Sequence, residues 1–443
     1  MMDVRLAEKA LRTAERTGAD EVEVVMESSH DVEIILKRNE IHSEKDCRTA
    51  ALGIRTVVDK KHSFTSCNLP HPDIESLAQH GVFLAKKNVS DPYWIHLPLK
   101  STPAHVEDIY SPVLAELSYD ALFEFAQELL AGAQMVRNVD VEEGHIHISD
   151  ETFYITNSHS VSGSYEATTC EVDLVCTAKY SGHSECMAYD YFYSKTPDFD
   201  LMEFAQAVAQ SAHRGLGAKA LPHPLEGPVL LMPDPVSQVL FTPLASAVNA
   251  ETYLWDTSPL SGVIGSRVAP EMVTVTDDGT LKGGYGSRPI DGEGNATAQT
   301  PIIQEGIFTG LLHSEYTSNL AGCASSGNAM RTATSDVTVG PTNFMVHPGT
   351  ASLEELLAEL GTGVMVERFS GSVDVTTGLF SGACRQAHYV KNGEICYPVK
   401  ELTLSGNAFQ ALQKIELLGD SAIPEYQGIM APACLVGGIS ITP

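Results

Sequence analysis

Nowhere in the 443 residues is there a run of about eighteen or more apolar side chains, so no segment reads as a membrane span. The N-terminus, MMDVRLAEKALRTAERTGAD, lacks the apolar core and small-residue cleavage site of a secretory signal. Basic residues are scarce: 28 Lys and Arg stand against 57 Asp and Glu, a net charge of −29. So acidic a chain repels polyphosphate, which argues against nucleic-acid contact, and it draws basic partners or peptides toward its surface. The nine cysteines (Cys47, Cys67, Cys170, Cys176, Cys186, Cys323, Cys384, Cys396 and Cys434) form no C-x-x-C pair. That excludes a zinc ribbon, and the odd number speaks against a disulfide framework. Reduced, half-buried thiols and the missing signal make the cytoplasm the expected compartment.

What is present is an ordinary globular balance, 43% hydrophobic and 19% charged, on a chain long enough for two or three domains. A helix is expected from Asp3 to Thr17, with Val4, Ala7, Leu11 and Ala14 on one face and Gly18 where it stops. Alternating strands follow at Glu21–Met26 and Asp31–Lys37, with Ser28-Ser29-His30 as a turn, then at Ala51–Asp59, with a charged turn at Lys60-Lys61. A helix from Asp73 to Lys87 completes this unit, residues 1–100. Residues 113–220 repeat the plan, with Ser118 as N-cap and strands at 144–148, 152–156, 162–168 and 171–178. A helix over about 201–218 closes this second unit. The five prolines of LPHPLEGPVLLMPDP mark the boundary to residues 227–443, rich in Gly and short strands. Helices are expected there at Pro235–Val248 and Ser352–Leu360, the second with a Ser352/Glu355 capping box. The fold class is α+β: mixed sheets with flanking helices, two N-terminal helix-plus-sheet units and a larger β-rich C-terminal domain.

Several patterns carry possible chemistry. His145 and His147 share one face of a strand with Glu142, Glu143 and Asp150 nearby, a spacing that suits a metal but equally an exposed polar edge. His183 and Cys186 in GHSEC lack a second pair, and read as a polar loop. His313 stands alone at a strand end. Cys384 lies four residues before His388, and on a hairpin it approaches Cys396, yet small core-facing residues explain both. KGGYGS (Lys282–Ser287) lacks the GK[ST] ending of a phosphate loop. Asp291 and Glu293 in DGEG are paired acids, although DGEG is also good turn chemistry.

From Ser261 onward come TVTDDG (Thr274–Gly279), IDGEG (Ile290–Gly294), SSGNAMR (Ser325–Arg331) and PTN (Pro341–Asn343). In that order they resemble the TldD/PmbA family of peptidase subunits. Its TldD branch carries an HExxxH zinc helix a short distance upstream of the SG that opens this run. The matching positions here are Phe241-Thr242-Pro243-Leu244-Ala245-Ser246, without either histidine or the glutamate. The chain therefore resembles the PmbA (TldE) branch, and Pro243 is expected to kink or shorten the helix. Cys434, in APACLVGG, is similar to the family's closing strand and is not carried over as a ligand.

The resemblance implies a dimeric assembly with a TldD-type subunit, or a homodimer. Zinc sits in the TldD partner and no cofactor in this chain, and small or unfolded peptides are the substrates. Asp291, Glu293, Asn328, Arg331 and Asn343 are then candidate substrate-binding residues: an amide and a guanidinium on adjacent loops can hold an extended backbone or a carboxylate. The same residues suit a role in holding the fold. The expected function is a non-catalytic, substrate-holding subunit. Two alternatives stand beside it: an independent hydrolase using His145/His147 or Cys384, and a regulatory protein, since the family has carried the label of DNA gyrase modulator.

Overall fold

Helix α1 (Arg5–Thr17) turns Ala7, Ala10 and Ala14 inward and closes on Gly18, whose φ of 99° suits a residue without Cβ. The computed structural model describes residues 3–70, 73–180, 184–221, 227–400, 402–425 and 428–443. After α1 come three antiparallel strands, β1 (Glu21–Lys37), β2 (Glu40–Val58) and β3 (Lys61–Asn68). Their two-residue turns, Arg38-Asn39 and Asp59-Lys60, have positive φ at both positions, the geometry that matches the twist of a hairpin. Helix α2 (Ile74–Lys87) is capped by Asp73, which accepts from the Ser76 N–H at 2.8 Å.

The second unit repeats this order: α3 (Tyr119–Gln134), capped by Ser118, then β4 (Val139–Asn157), β5 (Ser162–Tyr180), β6 (Ser184–Ser194) and α4 (Leu201–Arg214). Both units share one six-stranded sheet, β3-β2-β1-β4-β5-β6, joined through the antiparallel β1/β4 pair. The strands are longer than the sequence pattern suggests. Ser28-Ser29-His30 is not a turn, because β1 runs unbroken through it with β2 on one side and β4 on the other. There Ser29 Oγ meets Thr49 Oγ1 at 2.8 Å, so turn-forming residues are held straight by cross-strand partners. The expected breaks at 149–151 and 169–170 are bridged in the same way, and β6 had no strand assigned to it.

Side-chain alternation sorts this sheet into two faces. Val22, Val24, Met26, Leu52 and Ile54 pack under α1 and α2; Ile34, Leu36, Ile146, Val172 and Leu174 pack under α3 and α4. On the other face Val25, Phe153 and Ile155 meet Ile290 and Ala333 of the C-terminal domain.

That domain comprises β7 (Val229–Leu231), β8 (Val275–Asp278), β9 (Gln299–Gln304), β10 (Ile307–Phe308), α5 (Glu315–Ala321), β11 (Ala329–Met330), β12 (Thr338–Val339) and β13 (Phe344–Val346). It continues with α6 (Leu353–Leu360), β14 (Gly363–Val373), β15 (Leu379–Lys391), β16 (Glu394–Val399), β17 (Thr403–Asn407), β18 (Ile415–Glu425), β19 (Ile429–Val436) and β20 (Ser440–Thr442). Among the described residues twelve of these strands form one sheet, with β13/β19 and β7/β14 parallel and the other pairs antiparallel. Helix α6 opens on the expected capping box: Ser352 Oγ accepts from the Glu355 N–H at 3.3 Å and Glu355 accepts from the Ser352 N–H at 2.9 Å. The chain is an α+β protein with mixed sheets.

Candidate functional site

The four C-terminal motifs converge where the long sheet meets the C-terminal domain. Asp277, at β8, accepts from the Thr342 N–H at 2.8 Å, the Thr342 hydroxyl at 2.8 Å and the Asn328 amide at 2.6 Å. Asn343 donates to the Asp278 carbonyl and the Ser287 hydroxyl, and accepts from the Gly286 N–H. Asp291 takes the N–H groups of Glu293, Asn295 and Ala329. Glu293 accepts from Arg55 at 2.6 Å and from the Glu315 N–H at 2.8 Å. Glu23 of β1 pairs with both Arg55 and Arg331. Arg331 also lies over the Phe64 ring, 5.4 Å from its centroid.

All five residues proposed for substrate therefore come together, and all are enclosed. Asp291, Glu293 and Asn343 are 0% exposed, Asn328 is 1%, and the Arg331 side chain is 0%. Their bonds run to one another and to the backbone, an arrangement that fits the fold-holding role. Burial raises the Asp277 carboxyl to about 6 against its hydrogen bonds, and it raises Asp291 too, helped by the Glu293 charge. For Arg55 burial works the other way, but Glu23 and Glu293 more than reverse it and its pKa rises. Glu23, Arg55 and Asp277 were missed by sequence reasoning. Their signal was faint: in EVEVVM and GIRTVV the charged positions alternate with apolar ones, as on a solvent face.

The positions of the lost zinc motif lie in an interrupted helix, Pro233–Val236, a π turn Ser237–Phe241, then Thr242–Ala247. The Thr242 N–H reaches back five residues to the Ser237 carbonyl, and Pro243, which has no N–H to give, follows immediately. So the proline is accommodated by widening one turn of a helix that starts earlier than expected. Phe241 is 0% exposed within the C-terminal core, and Thr242 donates its hydroxyl to Ser237. No histidine of the sequence is followed by glutamate. The residues at these positions do not fit a zinc ion.

Other candidates separate. The His145 and His147 rings stack 6.1 Å apart on β4, and each sits between two carboxylates. His145 lies 3.9 Å from Glu33 and 3.4 Å from Asp173; His147 lies 3.1 Å from Asp31 and 3.6 Å from Glu171. Both imidazole pKa values are raised, foremost by Asp173 and Glu171 respectively. No group of three or more His, Cys, Asp or Glu among the described residues is arranged to hold a metal. Cys384 and Cys396 do not approach each other: Cys384 bonds Leu402, whereas β16 pairs with β15 from Ala387 onward. Burial pushes the Cys384 thiol up to about 12. His183 lies outside the described residues, and Cys186 is half-buried. His313 is not at a strand end; it precedes α5 and contacts Thr317 at 3.2 Å.

One cavity gathers polar groups of both signs. About 450 Å³ in volume, it lies between the edge strand β6, α4, the start of the interrupted helix, β14 and β15. Tyr189 and Tyr191 flank Arg368, each ring centroid 5.8 Å from the guanidinium carbon. Arg368 pairs with Asp190 and lies 3.6 Å from Asp234, which is bonded to Gln238 and the Phe369 N–H. None of these residues was singled out from the sequence, although the alternation in AYDYFYS carries tyrosines on one face.

The family model described as PmbA/TldA metallopeptidase C-terminal domain matches residues 225–443. The protein named metalloprotease PmbA of Escherichia coli O157:H7 is 26% identical over 430 residues, 94% of this chain and 92% of that protein. A metalloprotease of Methanothermobacter thermautotrophicus is 32% identical over 241 residues, 54% of this chain and 52% of its own length. The crystal structure of TldE from Thermococcus kodakarensis has the same fold, with a TM-score of 0.89, 22% identity, and coverage of 99% of this chain and 100% of that one.

Proposed function

This chain belongs to the PmbA/TldD family of metallopeptidase-like proteins, and from that premise we propose that it holds peptide substrate without cleaving it. It serves as the accessory subunit of a TldD/TldE-type complex that acts on small or unfolded peptides in the cytoplasm. A TldD-type subunit carries the zinc, and a second copy of this chain is the other partner to consider. The observation that carries this reading is Phe241, an apolar ring buried in the core at the position of a zinc ligand. Among the described residues β6 is an edge of the six-stranded sheet, which supports the reading, because a sheet edge accepts an extended peptide through main-chain hydrogen bonds. No helix among the described residues is long and apolar enough to cross a membrane.

A hydrolase with a relocated site finds less support: the Cys384 thiol is buried and protonated, and His145 and His147 are engaged by carboxylates. The test is metal analysis of the chain purified alone, with peptide cleavage assayed before and after a TldD subunit is added. Zinc-free protein that supports cleavage only in the mixture is the expected result. One zinc per chain, with chelator-sensitive cleavage by the chain alone, overturns the reading. Zinc-free protein with no effect on cleavage in the mixture favours a regulatory protein instead.

A further inference from the structure

The cavity beside β6 has features that its salt bridges do not explain. Gln386 has φ 52° in the middle of β15, a left-handed conformation that a long side chain adopts only under constraint. The β14/β15 ladder skips it: Val366 pairs with Ala387 and Arg368 with Arg385, leaving Glu367 and Gln386 together at the irregularity. The Gln386 amide spends one end on the Ser211 hydroxyl, and its Oε1 is buried without a hydrogen-bond partner among the described residues. Both residues line the cavity.

Among the described residues Glu367 accepts no hydrogen bond either. His388 Nδ1 lies 3.4 Å from it but makes no hydrogen bond. Burial, and after it the Arg214 charge, lower the His388 pKa, so this imidazole is neutral and adds no charge beside Glu367, whose own carboxyl burial raises against the Arg214 and Arg368 charges. Arg214, exposed at the mouth, has no hydrogen bond or ion pair to Glu367 among the described residues, although its charge is felt there. Arg368 is committed to Asp190 and Asp234. Among the described residues the lining holds three carboxylates, Asp190, Asp234 and Glu367, against two guanidinium groups, so their balance favours a cation.

On the peptide-holding reading given above, we propose that this cavity binds a primary ammonium group of an extended peptide, its α-amino end or a lysine side chain, between Gln386 Oε1 and the Glu367 carboxylate. Both acceptors then gain the donor they lack. A peptide added along β6 is carried past the mouth of the cavity, which the strand itself lines.

The test is calorimetric binding of three short Gly/Ser/Val peptides to the full chain. One has a free amino end and no lysine, one is N-acetylated without lysine, and one is N-acetylated with a single lysine. The N-acetylated, lysine-free peptide should bind about tenfold or more weaker than at least one of the others. Tight binding of the first peptide assigns the site to the α-amino end; tight binding of the third assigns it to lysine. Glu367→Gln and Gln386→Gly should each abolish the preference while leaving the acetylated, lysine-free peptide unaffected. Glycine is at home at φ 52°, so the second variant removes the acceptor without straining the strand. Equal binding of all three peptides, or a preference that survives both variants, overturns the inference and leaves the peptide-holding reading standing. No binding of any peptide overturns both.

Discussion

Replacing Arg55 by Met should loosen the junction between the long sheet and the C-terminal domain, by an amount set by what the guanidinium holds. Two acids, Glu23 and Glu293, and two bases, Arg55 and Arg331, meet there with their side chains at most 7% exposed. Without Arg55, Glu23 keeps Arg331, but among the described residues Glu293 loses its only cation and retains a single backbone donor from Glu315. Removing one partner of a buried pair costs about 3–5 kcal/mol, because the other charge stays buried and unpaired. Burial already holds the Glu23 carboxyl above its ordinary pKa against the Arg55 charge, and removing that charge raises it further, so Glu23 takes up a proton more readily. Its folded pKa then lies above its unfolded value of about 4.3, so the folded state binds more protons between the two, and stability falls as pH rises through that window. The deficit of Arg55→Met should thus be smaller at about pH 5 than at about pH 8. Urea titration followed by tryptophan emission measures it. Of the two tryptophans, Trp94 lies 5.7 Å from the Arg55 guanidinium and donates its indole N–H to Glu21. Glu293→Gln should cost less, since Arg55 keeps Glu23. A cost below about 1 kcal/mol for Arg55→Met, or a deficit that grows on acidification, would refute the reasoning.

Three further outcomes follow from the same geometry. Gly53→Ala places a Cβ 2.4 Å from the Ala333 carbonyl oxygen, backbone against backbone across the junction, and should lower the urea midpoint by an amount equivalent to about 1–3 kcal/mol. An unchanged midpoint would mean that the two domains do not touch there. Iodoacetamide at mildly alkaline pH, read by peptide mass spectrometry, should label the exposed Cys323 and Cys396 well before Cys384, Cys170, Cys176 or Cys434, whose thiols burial keeps protonated. Early labelling of Cys384 would revive it as a nucleophile. His145 and His147 should titrate above about 6.5 by NMR, since their carboxylate partners favour the charged form. Their contribution to stability is full below the unfolded pKa and lost as pH rises through the folded one, and titration below that value would contradict the paired geometry.

Local signals were legible in the sequence wherever a residue's partner lies within a few positions. Gly18 as a helix stop, Ser118 as a cap and the Ser352/Glu355 box are all satisfied by neighbours in the chain. The long strands were not legible, because Ser28-Ser29-His30 has turn chemistry taken alone and becomes strand only with β2 and β4 on either side. The partners of the candidate site residues were hidden in the same way. DGEG and SSGNAMR announce polar residues with specific work to do, but the partner of Glu293 is Arg55 and the partner of Arg331 is Glu23, each more than two hundred positions away. A carboxylate facing a cavity and a carboxylate locked in an ion pair look identical in one dimension. Burial distinguishes them physically, since a fully enclosed charge must be paired, whereas a ligand-binding group must keep some bonding capacity unspent. Asp291, with three backbone donors on its two oxygens, has little left to offer a substrate; Gln386 Oε1, buried and unbonded, still has its capacity to give. By that criterion the recognisable motifs hold the two parts of the chain together, and the place to look for a ligand is a stretch of β15 that the sequence reading assigned to small core-facing residues.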